Sequence, residues 1–358
     1  NNEVDGDDAL GIPGISQLIV AANTCGQTGS GDNLASCVMS DFENDVDLVD
    51  QSNSVLDADD GAVISQDNGA VISQVISLEN DCDENTFTDT HDNNANCALV
   101  NDLENFLRSI TQANEVVDVQ DNSIANQDSN VAVSQDLLAE NDCNGTGGND
   151  VTCTIDANSQ VNEIRPIDQF NTANVAGTVS SVQFNDVAVA QTAAMANTCD
   201  ETGGGINQAT CENIGDINVL GPVSQSNGVD ALNSDTASQS NGAQIAQNLD
   251  VVNDCDEDGT GFNLAGCAAS ALNEITPNDG ITQNNDAIVG DDTAQLNFVG
   301  IIQDAQVDNV CDETGLGDNA ALCASAAENG IGLISQANDA QGSGDADFTQ
   351  NNNIPAIN

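Results

Sequence analysis

The chain has no lysine, tryptophan or tyrosine, and its 358 residues include two arginines, one histidine, eight phenylalanines and five prolines. Each shortage argues against a class of function. Nucleic acid and anionic membrane surfaces are held by lysine and arginine that neutralise phosphate. Arg108 and Arg165 stand against 59 acidic residues, a net charge of −57, so cations are the natural partners and polyanions are not. Lysine-based catalysis has no residue to carry it, and the lone His91 lies in a variable segment. Hydrolases built on solenoids need placed carboxylates and lyases a basic group; with acidic residues everywhere and near-uniform repeats, no pair stands out, and the chain reads as non-enzymatic. Without tryptophan or tyrosine an aromatic core is out of reach, so a thin interior of small and β-branched side chains is expected. No apolar run reaches the roughly 18 to 20 residues of a membrane-spanning helix. No CxxC or Cys/His zinc spacing occurs.

Low hydrophobicity with high net charge is also the composition of disordered chains. Twelve cysteines and short alternating runs of Val, Ile, Leu and Ala speak for a folded one. An even cysteine count at regular spacing points to disulfides and an oxidising compartment. The first residue, Asn1, fits a mature chain whose signal peptide has been removed, so a secreted, extracellular or cell-surface protein is expected.

The cysteines fall in six close pairs: Cys25/Cys37, Cys82/Cys97, Cys143/Cys153, Cys199/Cys211, Cys255/Cys267 and Cys311/Cys323. The first members recur every 56 to 61 residues, with Asn two residues before each and four before each second member. Pairing within each pair is the simplest disulfide assignment, and a closed loop of about 12 residues contributes roughly 3 kcal/mol by restricting the unfolded chain. Pairing between repeats or subunits stays open.

Two glutamine series keep the same period. Gln17, Gln74, Gln135, Gln191, Gln247 and Gln303 each lie eight residues before a first cysteine. Gln51, Gln112, Gln169, Gln225, Gln283 and Gln336 each have Ile or Val two residues before and Asn two residues after. Residues two apart on a strand share a face, so these amides point inward and are expected to ladder along an axis. The steps from the second series to the first, such as Gln51 to Gln74 and Gln169 to Gln191, are nearly equal. The return steps, such as Gln191 to Gln225, match them once the cysteine-bounded segment is removed.

The resulting expectation is an all-β β-solenoid of β-arch coils of about 22 residues, two coils per 56-residue repeat, with a disulfide-closed loop bulging from every second coil. An N-terminal arm over residues 1–14 precedes a single solenoid of six repeats over 15–358. Its cysteine loops are 25–37, 82–97, 143–153, 199–211, 255–267 and 311–323, and its incomplete terminal repeats are 15–50 and 324–358. Twelve coils at about 4.8 Å would give a rise of roughly 55 to 60 Å per subunit.

Stretches such as Ser224-Gln225-Ser226-Asn227, Ser238-Gln239-Ser240-Asn241 and Gln247 resemble curlin-type fibre subunits. The resemblance implies an extracellular fibre built from stacked, short Gln/Asn repeats. Curlin repeats lack the cysteine loops, and the glycine they carry soon after glutamine is generally asparagine here. The two ends lack complementary parts of a repeat, so head-to-tail polymerisation with copies of itself is expected, a heterologous contact that does not close. No cofactor is required on this reading. Calcium is a candidate at Asp200, Glu201, Asp256, Glu257, Asp312 and Glu313 in the Gly/Asp/Asn-rich loops, because carboxylates converging on a tight loop suit that cation. A calcium-dependent adhesin that does not polymerise is the alternative function.

Overall fold

A computed structural model describes residues 14–354 apart from 30–32, 59–60, 87–91, 120–122, 147, 157–160, 176–178, 204–205, 215–217, 232–235, 261, 277–279, 316–317 and 343–346. The expected N-terminal arm, up to residue 13, lies outside the described residues, as does His91. The described residues are strands, turns and short connections with no helix, as the period-two patterning dictates.

Every strand pairing is parallel, in three sheets. The long sheet runs β1 (Gly14–Gly29), β4 (Val63–Thr86), β7 (Ser123–Thr146), β11 (Val179–Gly203), β15 (Ala237–Gly259), β18 (Thr293–Gly315) and β21 (Phe348–Asn353). The distal sheet runs β3 (Val49–Ala58), β6 (Ile110–Val119), β10 (Ile167–Val175), β14 (Val223–Ala231), β17 (Ile281–Val289) and β20 (Ile334–Gly342). The cysteine sheet holds β2 (Asn33–Val46), β5 (Asp92–Leu107), β8 (Gly148–Asp156) with β9 (Asn162–Ile164), β12 (Ile206–Ile214) with β13 (Asn218–Leu220), β16 (Phe262–Ile275) and β19 (Asp318–Ile331). One coil therefore runs distal strand, long strand, cysteine-sheet strand. The two shorter sheets lie end to end across from the long one.

The fold is a β-solenoid, but its coil is the whole repeat, which corrects the expected division of each repeat into two shorter coils. Register pairs identical positions of successive repeats: Gln17 with Gln74, Asn23 with Asn80, Cys25 with Cys82, and Gln51 with Gln112. Gln51 and Gln74 belong to different sheets. The physical reason is backbone satisfaction. A shorter coil would leave each cysteine segment projecting with unpaired N–H and C=O groups, whereas stacking whole repeats extends the ladders through the cysteines to Gly29, Thr86 and Thr146. The cysteine segments are thus not bulges but one end of every coil. Strands of 23 to 25 residues in the long sheet make that coil about 80 Å wide at ~3.3 Å per residue.

Inward positions form stripes parallel to the stacking axis. Ile72, Val133, Val189, Ile245 and Ile301 of the long sheet meet Leu107, Ile110, Ile164 and Ile167, all buried. A second apolar stripe carries Ile76, Leu78, Leu99 and Met195, and a third of Val, Ala and Ile closes the distal end. Each fully buried aliphatic side chain contributes about 1.5 to 3 kcal/mol. Between the cysteine and distal sheets the chain turns a corner, where Arg165 N–H donates to Leu107 O at 2.8 Å and Gly221 N–H to Ile164 O at 2.6 Å. Gly280, at φ +42°, sits so close to the Leu333 backbone that a Cβ would collide with it. Both arginines are placed at this corner over the Phe106 ring, 5.5 and 4.8 Å from its centroid, and pair with Asp47 and Glu163 at 3.0 and 2.9 Å.

Candidate functional site

The apolar stripes alternate with stripes of buried amides. In the first series Gln74 Nε2 donates to Gln17 Oε1 at 2.9 Å, Gln135 to Gln74 at 2.8 Å and Gln191 to Gln135 at 2.9 Å. Gln247 donates to Gln191 at 2.8 Å and Gln303 to Gln247 at 2.6 Å. The second series is joined likewise from Gln336 through Gln283, Gln225, Gln169 and Gln112 to Gln51, each step 2.8 to 2.9 Å. A third column, Gln66, Gln127, Gln183, Gln239, Gln295 and Gln350, is bonded in the same way at 2.7 to 2.9 Å. Sequence reasoning missed it, although each of its members through Gln295 lies eight residues before a glutamine of the first series.

The second amide proton goes across the sandwich. Gln74 Nε2 donates to Asn44 O and Phe106 O at 2.7 and 3.0 Å, and Gln191 to Asn162 O and Val219 O at 2.7 and 3.1 Å. These carbonyls fix which end of each amide is nitrogen, because an oxygen there would face another oxygen. A direction along the axis follows. Every Gln–Gln bond runs from a repeat to the one before it. The asparagine columns run oppositely: Asn44 donates to Asn105, Asn105 to Asn162 and Asn162 to Asn218 at 2.8 to 2.9 Å. Asn53 donates to Asn114, Asn171 to Asn227 and Asn285 to Asn338 at 3.0 Å. Where Ser129 replaces asparagine, its hydroxyl still accepts from Asn114 at 3.1 Å.

The cysteines form two facing columns, Cys25, Cys82, Cys143, Cys199, Cys255 and Cys311 in the long sheet and Cys37, Cys97, Cys153, Cys211, Cys267 and Cys323 opposite. The columns are staggered. Second-column sulfurs from Cys37 to Cys267 reach toward the next coil, as in Cys37 Sγ to Asp81 O at 3.5 Å, while first-column sulfurs from Cys25 to Cys255 face their own coil, as in Cys82 Sγ to Asn96 O at 3.7 Å. Cys25–Cys37, Cys199–Cys211, Cys255–Cys267 and Cys311–Cys323 are joined within a coil, at Cα separations of 6.0 to 6.6 Å. Cys97–Cys143 and Cys211–Cys255 are joined between coils. A sulfur forms one disulfide at a time, so the bonds sharing Cys211 or Cys255 are alternatives. Local pairing is therefore corrected at Cys82/Cys97 and Cys143/Cys153, where stagger gives Cys97 to Cys143 and leaves Cys82 and Cys153 as buried thiols. Burial pushes the Cys82 thiol up to about 12 and Cys153 well above its ordinary value, so both stay protonated.

The six candidate metal ligands are not gathered in loops. They lie on strands, where successive residues face opposite ways. Asp200 and Asp256 point outward, while Glu201 and Glu257 are buried, so the two acids of one repeat do not converge on an ion. In backbone register Asp200 lies on Asp256 and Asp256 on Asp312, and likewise Glu201 on Glu257 and Glu257 on Glu313. Partial burial, reinforced by the Asp256, Asp254 and Asp142 carboxylates, raises the pKa of Asp200. Asp81, Asp142 and Asp254 are raised by burial first and by nearby carboxylates second, from the same strand (Asp83 and Glu79 beside Asp81, Asp256 beside Asp254) and from the stacked strand (Asp81 beside Asp142).

Among the described residues, the outermost strands carry open edges. β1 covers residues 71–86 of β4 and leaves 63–70 open. β21 covers residues 293–298 of β18 and leaves 299–315 open. β2 and β3 form the edges beside β1, and β19 and β20 those beside β21. Comparison with protein-family models, curated proteins and solved structures finds no match.

Proposed function

We propose that the chain is a structural, non-enzymatic subunit of an extracellular filament, secreted and assembled by copies stacking coil on coil. The observation that carries this reading is the pair of edges open among the described residues: the outermost described strands keep ladder positions and amide columns that no described neighbour covers. Edges of that length are ordinarily blunted or covered. The facing cysteine columns fit an oxidising compartment. The curlin-like Gln/Asn spacing fits the same use, with one coil per repeat in place of two.

Outward acids repel one another along the stack, so cations, calcium among them, are the partners that permit assembly. The test is electron microscopy of protein refolded from denaturant with and without salt or divalent ions. Long fibres that fray in deionised buffer containing a chelator support the proposal. Short isolated rods in every buffer contradict it and favour a surface adhesin.

A further inference from the structure

The amide ladders give the two edges of the stack opposite hydrogen-bonding character. Glutamine bonds point toward the first coil and asparagine bonds toward the last. At the first-coil edge, Gln17 and Gln51 each accept from the coil above and donate across the sandwich, to Asp45 O at 3.0 Å and Gly69 O at 2.9 Å. That leaves one amide proton of each facing outward along the ladder, beside the outward-facing oxygens of Asn44 and Asn53. At the last-coil edge, Gln303 and Gln336 have donated to Gln247 and Gln283, and their oxygens are next in line. Gln303 Oε1 is buried and has no partner, in a side chain only 5% exposed. Asn329 and Asn338 there have accepted from Asn273 and Asn285 and donate across the sandwich, to Gln303 O at 3.4 Å and to Asn352 Oδ1 at 2.8 Å, without the further axial bond that Asn273 and Asn285 add to theirs.

Resting on the filament reading above, we infer that the occupant of each edge is a second copy of this chain, docked head to tail in one polarity and one register. Gln17 and Gln51 of one copy donate to Gln303 and Gln336 of the next. Asn329 and Asn338 of that copy donate back to Asn44 and Asn53. Like edges could meet only through a two-fold axis across the contact, which would run their strands antiparallel and break the parallel, like-on-like register that every ladder of the stack keeps. Backbone register agrees: β1 fits the residues of β18 that no described strand covers, with Gln17 on Gln303, and β21 fits those of β4, with Gln350 on Gln66. β2 then lies on β19 with Cys37 on Cys323, and β3 on β20. A long strand of one copy abuts the short strand of the other, so two partial rungs complete one another.

Two variants test this. Gln17→Glu with Gln51→Glu keeps the oxygens that accept from Gln74 and Gln112, and removes the outward donors together with the edge bonds to Asp45 O and Gly69 O. Asn329→Asp with Asn338→Asp does the same at the other edge. Each should still unfold cooperatively, with a midpoint lowered equally above and below the polymer concentration, and, alone, raise the critical concentration for polymer at least about tenfold. Mixed, the two should form one-to-one dimers through their intact edges, read by analytical ultracentrifugation. Homodimers of either variant alone, or filaments indistinguishable from wild type, overturn the inference while the filament reading stands. Wild-type protein that stays as single rods overturns the reading itself and the inference with it.

Discussion

At the residue scale, a buried glutamine is stable here only because four hydrogen bonds meet at one amide. Gln191 donates to Gln135, Asn162 and Val219 and accepts from Gln247. Replacing it with alanine strands several buried groups, each costing about 1 to 3 kcal/mol. Gln191→Ala is therefore expected to lower stability by several kcal/mol in urea unfolding, and Gln17→Ala, at the edge, by about 1 kcal/mol; equal losses would deny the ladder its role. These residues were legible in the sequence through their constant offset from cysteine. Their neighbours were not. A Gln-x-Asn pattern occurs on both the distal and long strands, as in Gln169-Phe170-Asn171 and Gln183-Phe184-Asn185, so the two layers of one coil resemble two coils.

Acidic residues on the outer face titrate in an unusual sense. Asp81, Asp142, Asp200 and Asp254 have pKa values raised by burial first and by neighbouring carboxylates second. A raised folded value means that their contribution is complete below the unfolded value near 3.8 and is lost as pH rises through the folded one. Moving from neutral pH to about pH 5 at low ionic strength should therefore raise the thermal midpoint. A midpoint that falls on acidification would contradict the stacked-carboxylate picture.

At the scale of the element, the cysteine end of the coil shows what spacing can and cannot specify. The period of Cys25 to Cys323 correctly marks which residues recur, but pairing depends on the stagger between two sheets, which no linear spacing carries. Cys211 stands between Cys199 and Cys255, so non-reducing peptide mapping should recover both linkages from wild type. Cys255→Ser should leave the Cys199–Cys211 linkage alone at that sulfur. Recovery of only same-pair linkages in all six repeats would show that the stagger is not realised in solution. The carboxylates followed the same logic: Asp200 and Glu201 read as loop ligands because Gly203, Gly204 and Gly205 follow, yet β11 continues through them to Gly203.

At the scale of the whole molecule, stacking by full repeats makes a broad, flat ribbon rather than a slender rod. Among the described residues the distal sheet has six strands, so each copy of this chain would advance a filament by about 29 Å at ~4.8 Å per strand, half the rise that two coils per repeat would require. The width of the coil and the opposed directions of its glutamine and asparagine columns then set both the cross-section and the polarity of any polymer. Helical reconstruction of native filaments by electron cryomicroscopy measures these quantities together. The account predicts an axial rise of about 29 Å with all subunits pointing the same way; a rise of roughly 55 to 60 Å, or neighbouring subunits related by a two-fold axis across the contact, would contradict it.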